Sequence, residues 1–396
     1  LSAPDRRPRA LDGFGRYREE TEIVIFRGKT FERTARRLLL VLAFALAPAS
    51  SQAAMHRPAI AALPCTSATP TCAEWVPLGK GQARARIYRT FPLDKRNPAI
   101  KHALIMIHGT LRNGDHYFTT ATGAAFFAHA LHDTIVIAPS LRSADPDCED
   151  KLELNEISWS CSGNSWRSGG NATSDPDLTS FDFLDRIMVE LADKKIFPNL
   201  QTIVLAGHSA GGQFVARYAM ANRIDETLGV PISYLVANPS SYAWPDATRP
   251  LPLGDAAPDA AAAGWNEEAP HVGFRFGPFD PAKDPSFNQW PYGLDGRTGG
   301  YAARVGDAQL KKQLASRNIT VLLGQVDTLP LGGFDDSPGA MAQGPTRRAR
   351  GEAFVKYIDE WLGAKARVVI VPECGHNDRC IYTAEETLPL TFPGAR

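Results

Sequence analysis

Six short apolar runs, separated by stretches of helical period, most limit what this chain can fold into. They are His102–Ile107, Thr134–Ala138, Thr202–Ala206, Ile232–Ala237, Ile319–Leu323 and Arg367–Val371. A strand buried on both faces reads as a continuous Val/Ile/Leu run rather than an alternation. Between the runs, Phe181, Leu184, Met188 and Leu191 recur at helical spacing, and Thr179 with Asp182 forms a capping-box pattern ahead of them. Val215, Tyr218 and Ala219 mark one face of a helix after Gly212; Val355, Ile358 and Leu362 mark another, closed by Gly363. Strands alternating with helices predict an α/β fold, a mostly parallel central sheet with helices on both faces. The 44% apolar content of these 396 residues fits a globular chain and excludes a mainly disordered one.

Two connections are too long to be ordinary loops, about 140–178 and about 239–318. Both leave the C-terminal end of a predicted strand, the side on which open α/β sheets bind ligands. The second is read as a cap-like insertion. It holds Trp244, Trp265, Trp290 and Tyr292, and its alanine-rich centre, Asp255–Ala263, reads as a mobile stretch.

The N-terminal part has a different character. Arg33, Arg36 and Arg37 precede the apolar run Leu38–Ala49, and Ser51-Gln52-Ala53 offers a small-residue exit. That order is the pattern of a secretory signal, and the run falls short of the ~20 residues that span a bilayer, so no stable membrane anchor is expected. The first methionine is Met55 and about thirty residues precede the basic stretch, which reads as an over-extended reading frame. Residues 1–53 are therefore assigned to an extension plus signal, and 54–396 to one catalytic domain. Lys plus Arg equals Asp plus Glu, 43 against 43, so net charge makes no case for nucleic acid or an anionic membrane. Cys65 and Cys72, Cys148 and Cys161, and Cys374 and Cys380 form three sequence-close couples, the pairing expected in an oxidising, secreted or periplasmic setting.

The chemistry is carried by Gly207-His208-Ser209-Ala210-Gly211-Gly212, a G-x-S-x-G placed between an apolar strand and a helical pattern. A turn that sharp exposes the serine hydroxyl at a helix N-terminus. Serine needs a base, and His376, in Cys374-Gly375-His376-Asn377-Asp378, is the one of nine histidines that follows the last predicted strand. Asp327, in Gly324-Gln325-Val326-Asp327-Thr328, fits the acid. Asp335 and Asp336 are alternatives, but they lie beyond Pro330, Gly332 and Gly333, where the chain is expected to turn away. An oxyanion hole is expected from the amides of Ala210 and of Thr110, in His108-Gly109-Thr110. His108 reads as a packed support for that loop. The loop with Trp159, Cys161, Trp166, Arg167, Gly169 and Gly170 reads either as an aromatic pocket wall or as a disulfide-pinned loop packed on the body.

Strand-HG, strand-GHSAGG, strand-GQVDT and strand-CGHND, in that order over roughly Lys101 to Tyr382, resemble the α/β-hydrolase superfamily. The resemblance implies an eight-stranded, mostly parallel sheet, a Ser209–Asp327–His376 triad and no cofactor. A serine nucleophile points away from the haloalkane-dehalogenase and epoxide-hydrolase branches. HGT in place of HGGG departs from one lipase and esterase branch, which leaves the subfamily open. The expected reaction is cleavage of a carboxylic ester in a small-molecule or polymer substrate. Amide cleavage and acyl transfer use the same residues, and a non-catalytic binding protein on this scaffold is a further alternative.

Overall fold

Alternate residues of the central strands serve two different cores, which is why the apolar runs are continuous. The computed structural model describes residues 63–395 apart from 149, 163–164 and 253–273. The signal-like stretch of Arg33, Arg36, Arg37 and Leu38–Ala49, the exit at Ser51–Ala53, the segment Asp255–Ala263 and Trp265 lie outside the described residues. The strands are β1 (Ala73–Pro77), β2 (Arg84–Arg89), β3 (His102–Ile107), β4 (Thr134–Pro139), β5 (Thr202–His208), β6 (Ile232–Ala237), β7 (Thr248–Pro252), β8 (Phe274–Pro278), β9 (Asn318–Gly324) and β10 (Arg367–Val371). The helices are α1 (Gly114–Phe127), α2 (Ser180–Ala192), α3 (Ala210–Ala221), α4 (Asp307–Ser316), α5 (Pro338–Met341), α6 (Arg347–Leu362), α7 (Asp378–Thr383) and α8 (Leu388–Thr391).

Eight strands form one sheet in the order β1-β2-β4-β3-β5-β6-β9-β10. β4, β3, β5, β6, β9 and β10 run parallel, and β1 and β2 join antiparallel at one edge. This is the α/β-hydrolase fold. Ala103, Ile105, Ile107, Ile203, Leu205, Val321 and Leu323 face a core shared with α2, α3, α4 and α6. Leu104, Met106, Val204, Ala206, Leu235 and Leu322 face a second core, shared with α1 and α7. Each fully buried Ile or Leu contributes about 1.5–3 kcal/mol relative to exposure.

The expected helix ends are present. Thr179 accepts the Asp182 amide at 3.1 Å and donates its own amide to the Asp182 carboxylate at 3.0 Å, so both halves of the capping box form. Gly363 closes α6 in the left-handed conformation, with φ 60°.

The chain from β4 to α2 is almost all loop, pinned by the Cys148–Cys161 disulfide. Trp159 and Trp166 are both buried in it, Trp159 stacked on Phe183 and Trp166 against His108 and Phe214. They pack on the body. In the long connection after β6, Tyr242 and Trp244 pack on Phe354 and Tyr357 of α6, β7 and β8 pair antiparallel, and Leu310 and Leu314 of α4 enter the main core. Disulfides join Cys65 to Cys72 and Cys374 to Cys380 as well, as the spacing predicts. No helix among the described residues is long and apolar enough to cross a membrane.

Candidate active site

The sheet order reverses between β3 and β5, so the chains leaving these two strands diverge and open a crevice above their C-terminal ends. Ser209 stands there, between β5 and α3. Its φ of 58° and ψ of −118° are a conformation L-residues rarely adopt. The turn is possible because its neighbours are glycines. A Cβ at Gly211 would run into the carbonyl oxygens of Ile107 and His108, and one at Gly207 into the Gly211 carbonyl. Close approach of the two chains leaves Ser209 at the first turn of α3, where unpaired amides favour negative charge.

β10 delivers His376 to the same place, and β9 delivers Asp327. The Ser209 hydroxyl lies 3.0 Å from His376 Nε2, and His376 Nδ1 lies 2.8 Å from Asp327 Oδ2. The carboxylate can only accept, so Nδ1 carries the proton and Nε2 is free to accept from the serine. Asp327 is 3% exposed. Its other oxygen, Oδ1, faces Arg347 Nη1 at 3.4 Å. Arg347, fully buried at the start of α6, also donates to Ser240 Oγ at 2.7 Å and to the Gly332 carbonyl at 3.1 Å. Sequence reading had passed over this arginine. Its signal was available: α6 opens with Arg347, Arg348 and Arg350, and cations in a first helical turn oppose the dipole.

Histidines and a disulfide hold His376 in place. The His208 ring packs on the His376 ring with centroids 4.6 Å apart, and Tyr117 Oη lies 3.2 Å from His208 Nδ1. Burial, to which the neighbouring His376 and Arg347 add, holds His208 well below the usual histidine range. Asp378, two residues past His376, receives the Thr120 hydroxyl at 2.7 Å and faces His116 Nε2 at 3.1 Å, which ties the loop to α1. Cys374–Cys380 closes the loop around His376.

Ala210 follows Ser209 directly, and Thr110 lies in the loop after β3, whose Ile107 and His108 carbonyls abut Gly211. Ala210 is the first residue of α3. Thr110 is gripped by two arginines: Arg112 donates to its carbonyl at 3.1 Å, and Arg167 to its hydroxyl at 3.2 Å. His108 supports the loop: Leu141 N–H donates to Nε2 at 2.9 Å, and Nδ1 donates to the Gly109 carbonyl at 2.9 Å. Burial pushes its pKa down to about 4.

The chain after Pro330 does not turn away from the cleft, contrary to expectation. The Cβ position of Gly332 lies 2.9 Å from His376 Cδ2, and that of Gly333 lies 3.4 Å from Thr110 Cγ2. Arg347 pulls the loop inward through the Gly332 carbonyl. Even so, Asp335 is directed elsewhere, to Ser241 Oγ at 3.2 Å, Tyr292 Oη at 3.1 Å and Ser337 Oγ at 2.6 Å. Asp336 is exposed. Of the three acids, Asp327 is the one hydrogen-bonded to His376.

The sequence profile of the alpha/beta hydrolase family matches residues 104–387. No curated protein matches the chain in sequence. Among solved structures, poly(aspartic acid) hydrolase-1 from Sphingomonas sp. KT-1 is similar with a TM-score of 0.53 and 20% identity, over 81% of this chain and 98% of that one. The poly(3-hydroxybutyrate) depolymerase LpqC from Bordetella parapertussis is similar with a TM-score of 0.52 and 19% identity, over 81% of this chain and 90% of that one.

Proposed function

Since the chain belongs to the alpha/beta hydrolase family, we propose that it is a serine hydrolase that cleaves a carboxylic ester through an acyl-enzyme intermediate. The observation that carries this reading is the unbroken hydrogen-bonded line Ser209–His376–Asp327. Ser209 Oγ attacks the ester carbon while its proton passes to His376 Nε2. The carbonyl oxygen becomes an oxyanion facing the amides of Ala210 and Thr110. The C–O bond to the leaving alcohol breaks as His376 returns the proton to it. Water then repeats the sequence on the acyl-serine, releases the acid and restores the serine. Asp327 keeps the base in the working tautomer and stabilises the imidazolium.

Amide cleavage or acyl transfer would use the same groups. Two structural relatives are named for polymer substrates, which supports testing polymeric as well as small esters. Three disulfides support a secreted or periplasmic location. In this reading residues 54–396 are the catalytic domain, with a cap-like insertion near 239–318, and 1–53 an extension with a secretory signal.

The test is covalent labelling with a fluorophosphonate, followed by hydrolysis assays on esters of graded acyl length. Wild-type protein is expected to label at Ser209 and turn over. Ser209→Ala is expected to lose labelling and about a million-fold in turnover with the fold intact. Failure of the wild-type to label, with a folded protein, would favour a binding protein on a hydrolase scaffold.

A further inference from the structure

The arginines around Asp335 and Asp327 outnumber the carboxylates that face them. Arg167, Arg217, Arg347 and Arg350 all lie within range of the charge on Asp335. Among the described residues, Asp327 is the other carboxylate in this cluster, and it faces Arg347. Four guanidinium groups against two carboxylates leave positive charge in excess around Asp327, largely removed from water. Burial of charge without a counter-charge is costly.

Most of these groups are committed to fixed partners. Arg350 donates to the Gly344 and Asp335 carbonyls at 2.8 Å each, and Arg217 to Ser241 Oγ at 3.0 Å. Arg347 is taken up by Asp327, Ser240 and Gly332. Neighbouring Arg112 pairs with Asp150 at 2.7 Å. Arg217, like Arg167, has a buried Nε without a partner and, among the described residues, no carboxylate within ion-pair distance, but it is fully buried and held by the Ser241 and Ser168 hydroxyls. Arg167 is only half-buried, and among the described residues its one acceptor is Thr110 Oγ1. Yet it is one of the two arginines that grip Thr110, beside the turn of Ser209. Its planar fork is suited to a carboxylate.

We propose that Arg167 binds a carboxylate carried by the substrate, so that the preferred esters are anionic, with a free carboxyl group a few bonds from the scissile carbonyl. This rests on the serine-hydrolase reading above. The bound carboxylate supplies the counter-charge that the cluster lacks. Because the same guanidinium holds the Thr110 hydroxyl, seating the carboxylate also fixes the loop whose amide faces the oxyanion. The discrimination is therefore written into the rate of Ser209 acylation as well as into binding.

The experiment compares two fluorophosphonate probes of equal tail length, one ending in a methyl group and one in a carboxylate. The measured quantity is the ratio of their second-order labelling rates at Ser209, so that any general loss of reactivity in a variant cancels. Wild-type protein is expected to favour the carboxylate probe by about tenfold or more, the worth of a hydrogen bond to a charged group. Arg167→Gln is expected to bring the ratio to about one, Arg167→Lys to hold it between the two, and Arg304→Gln, far along the chain and paired with Asp182, to leave it at the wild-type value. A wild-type ratio at or below one, or a ratio unchanged in Arg167→Gln, overturns the inference while leaving the hydrolase reading intact. No labelling of wild-type by either probe removes both.

Discussion

Asp327→Asn tests the acid and, through Arg347, the reason the substitution should be so damaging. The carboxylate accepts on both sides, from His376 Nδ1 at 2.8 Å and from Arg347 Nη1 at 3.4 Å. An amide can accept on only one side. Arg347 can only donate, so it draws the amide oxygen and leaves the NH2 group facing His376. Nδ1 must then accept, the ring proton moves to Nε2, and the base meets Ser209 as a donor. Loss of the working tautomer in an equivalent arrangement costs about 10⁴-fold, or roughly 5.4 kcal/mol of transition-state stabilisation. The second cost is stability. Arg347 keeps its charge in a fully buried site but loses the carboxylate, and breaking a buried pair costs about 3–5 kcal/mol, less what Ser240 and Gly332 still supply. Fluorophosphonate labelling rates and thermal melts read the two costs separately. Asp327→Asn is expected to label about 10⁴-fold more slowly. The double variant Asp327→Asn/Arg347→Met, in which nothing fixes the amide, is expected to recover about tenfold of that, since either orientation becomes accessible and tenfold is about 1.4 kcal/mol. Labelling within tenfold of wild-type in the single variant would refute Asp327 as the acid. Purely additive effects in the double variant would refute the part assigned to Arg347.

Two further perturbations read the scaffold. Asp185 lies half-buried between the hydroxyls of Tyr218 and Tyr301, at 2.6 and 2.7 Å, and desolvation raises its pKa to about 6 from 3.8. A raised carboxyl pKa gives stability that is full below the unfolded value and lost as pH rises through the folded one, so wild-type loses about 2 kcal/mol between pH 4 and 7 that Asp185→Asn does not lose. Denaturation series at both pH values check this, and a wild-type-to-variant difference independent of pH would contradict it. Replacing Cys374 and Cys380 together by Ser opens the short loop around His376 and is expected to cost about 2 kcal/mol, with labelling slowed in proportion to the loosened base; melting and labelling equal to wild-type would show the bridge to be idle.

What the sequence disclosed follows from how each part is buried. Strands β3, β5, β6 and β9 carry apolar residues to two cores at once, so they stand out as unbroken runs. The edge strands β1 and β2 do not. β2 alternates, Arg84 and Arg86 shielding the Trp75 ring at 4.0 and 4.8 Å while Ala85 and Ile87 face inward, and a six-residue alternation full of arginine reads as loop. The place of Ser209 was legible because a glycine-flanked turn between strand and helix is sharply marked in sequence. That His376 and Asp327 meet it was legible from chain order, since β9 and β10 end on the same side of the sheet as β5. The arginines were not, because a sequence gives a charge no depth. Arg167 sits in a loop whose two tryptophans drew attention first, and those tryptophans proved to be packing. The sign that remained readable was conflict between levels. Helix α6 places Arg347 and Arg350 in its first turn against the dipole and then buries both completely. Local preference sacrificed at such a point marks a place where the site, and not the helix, selected the residue.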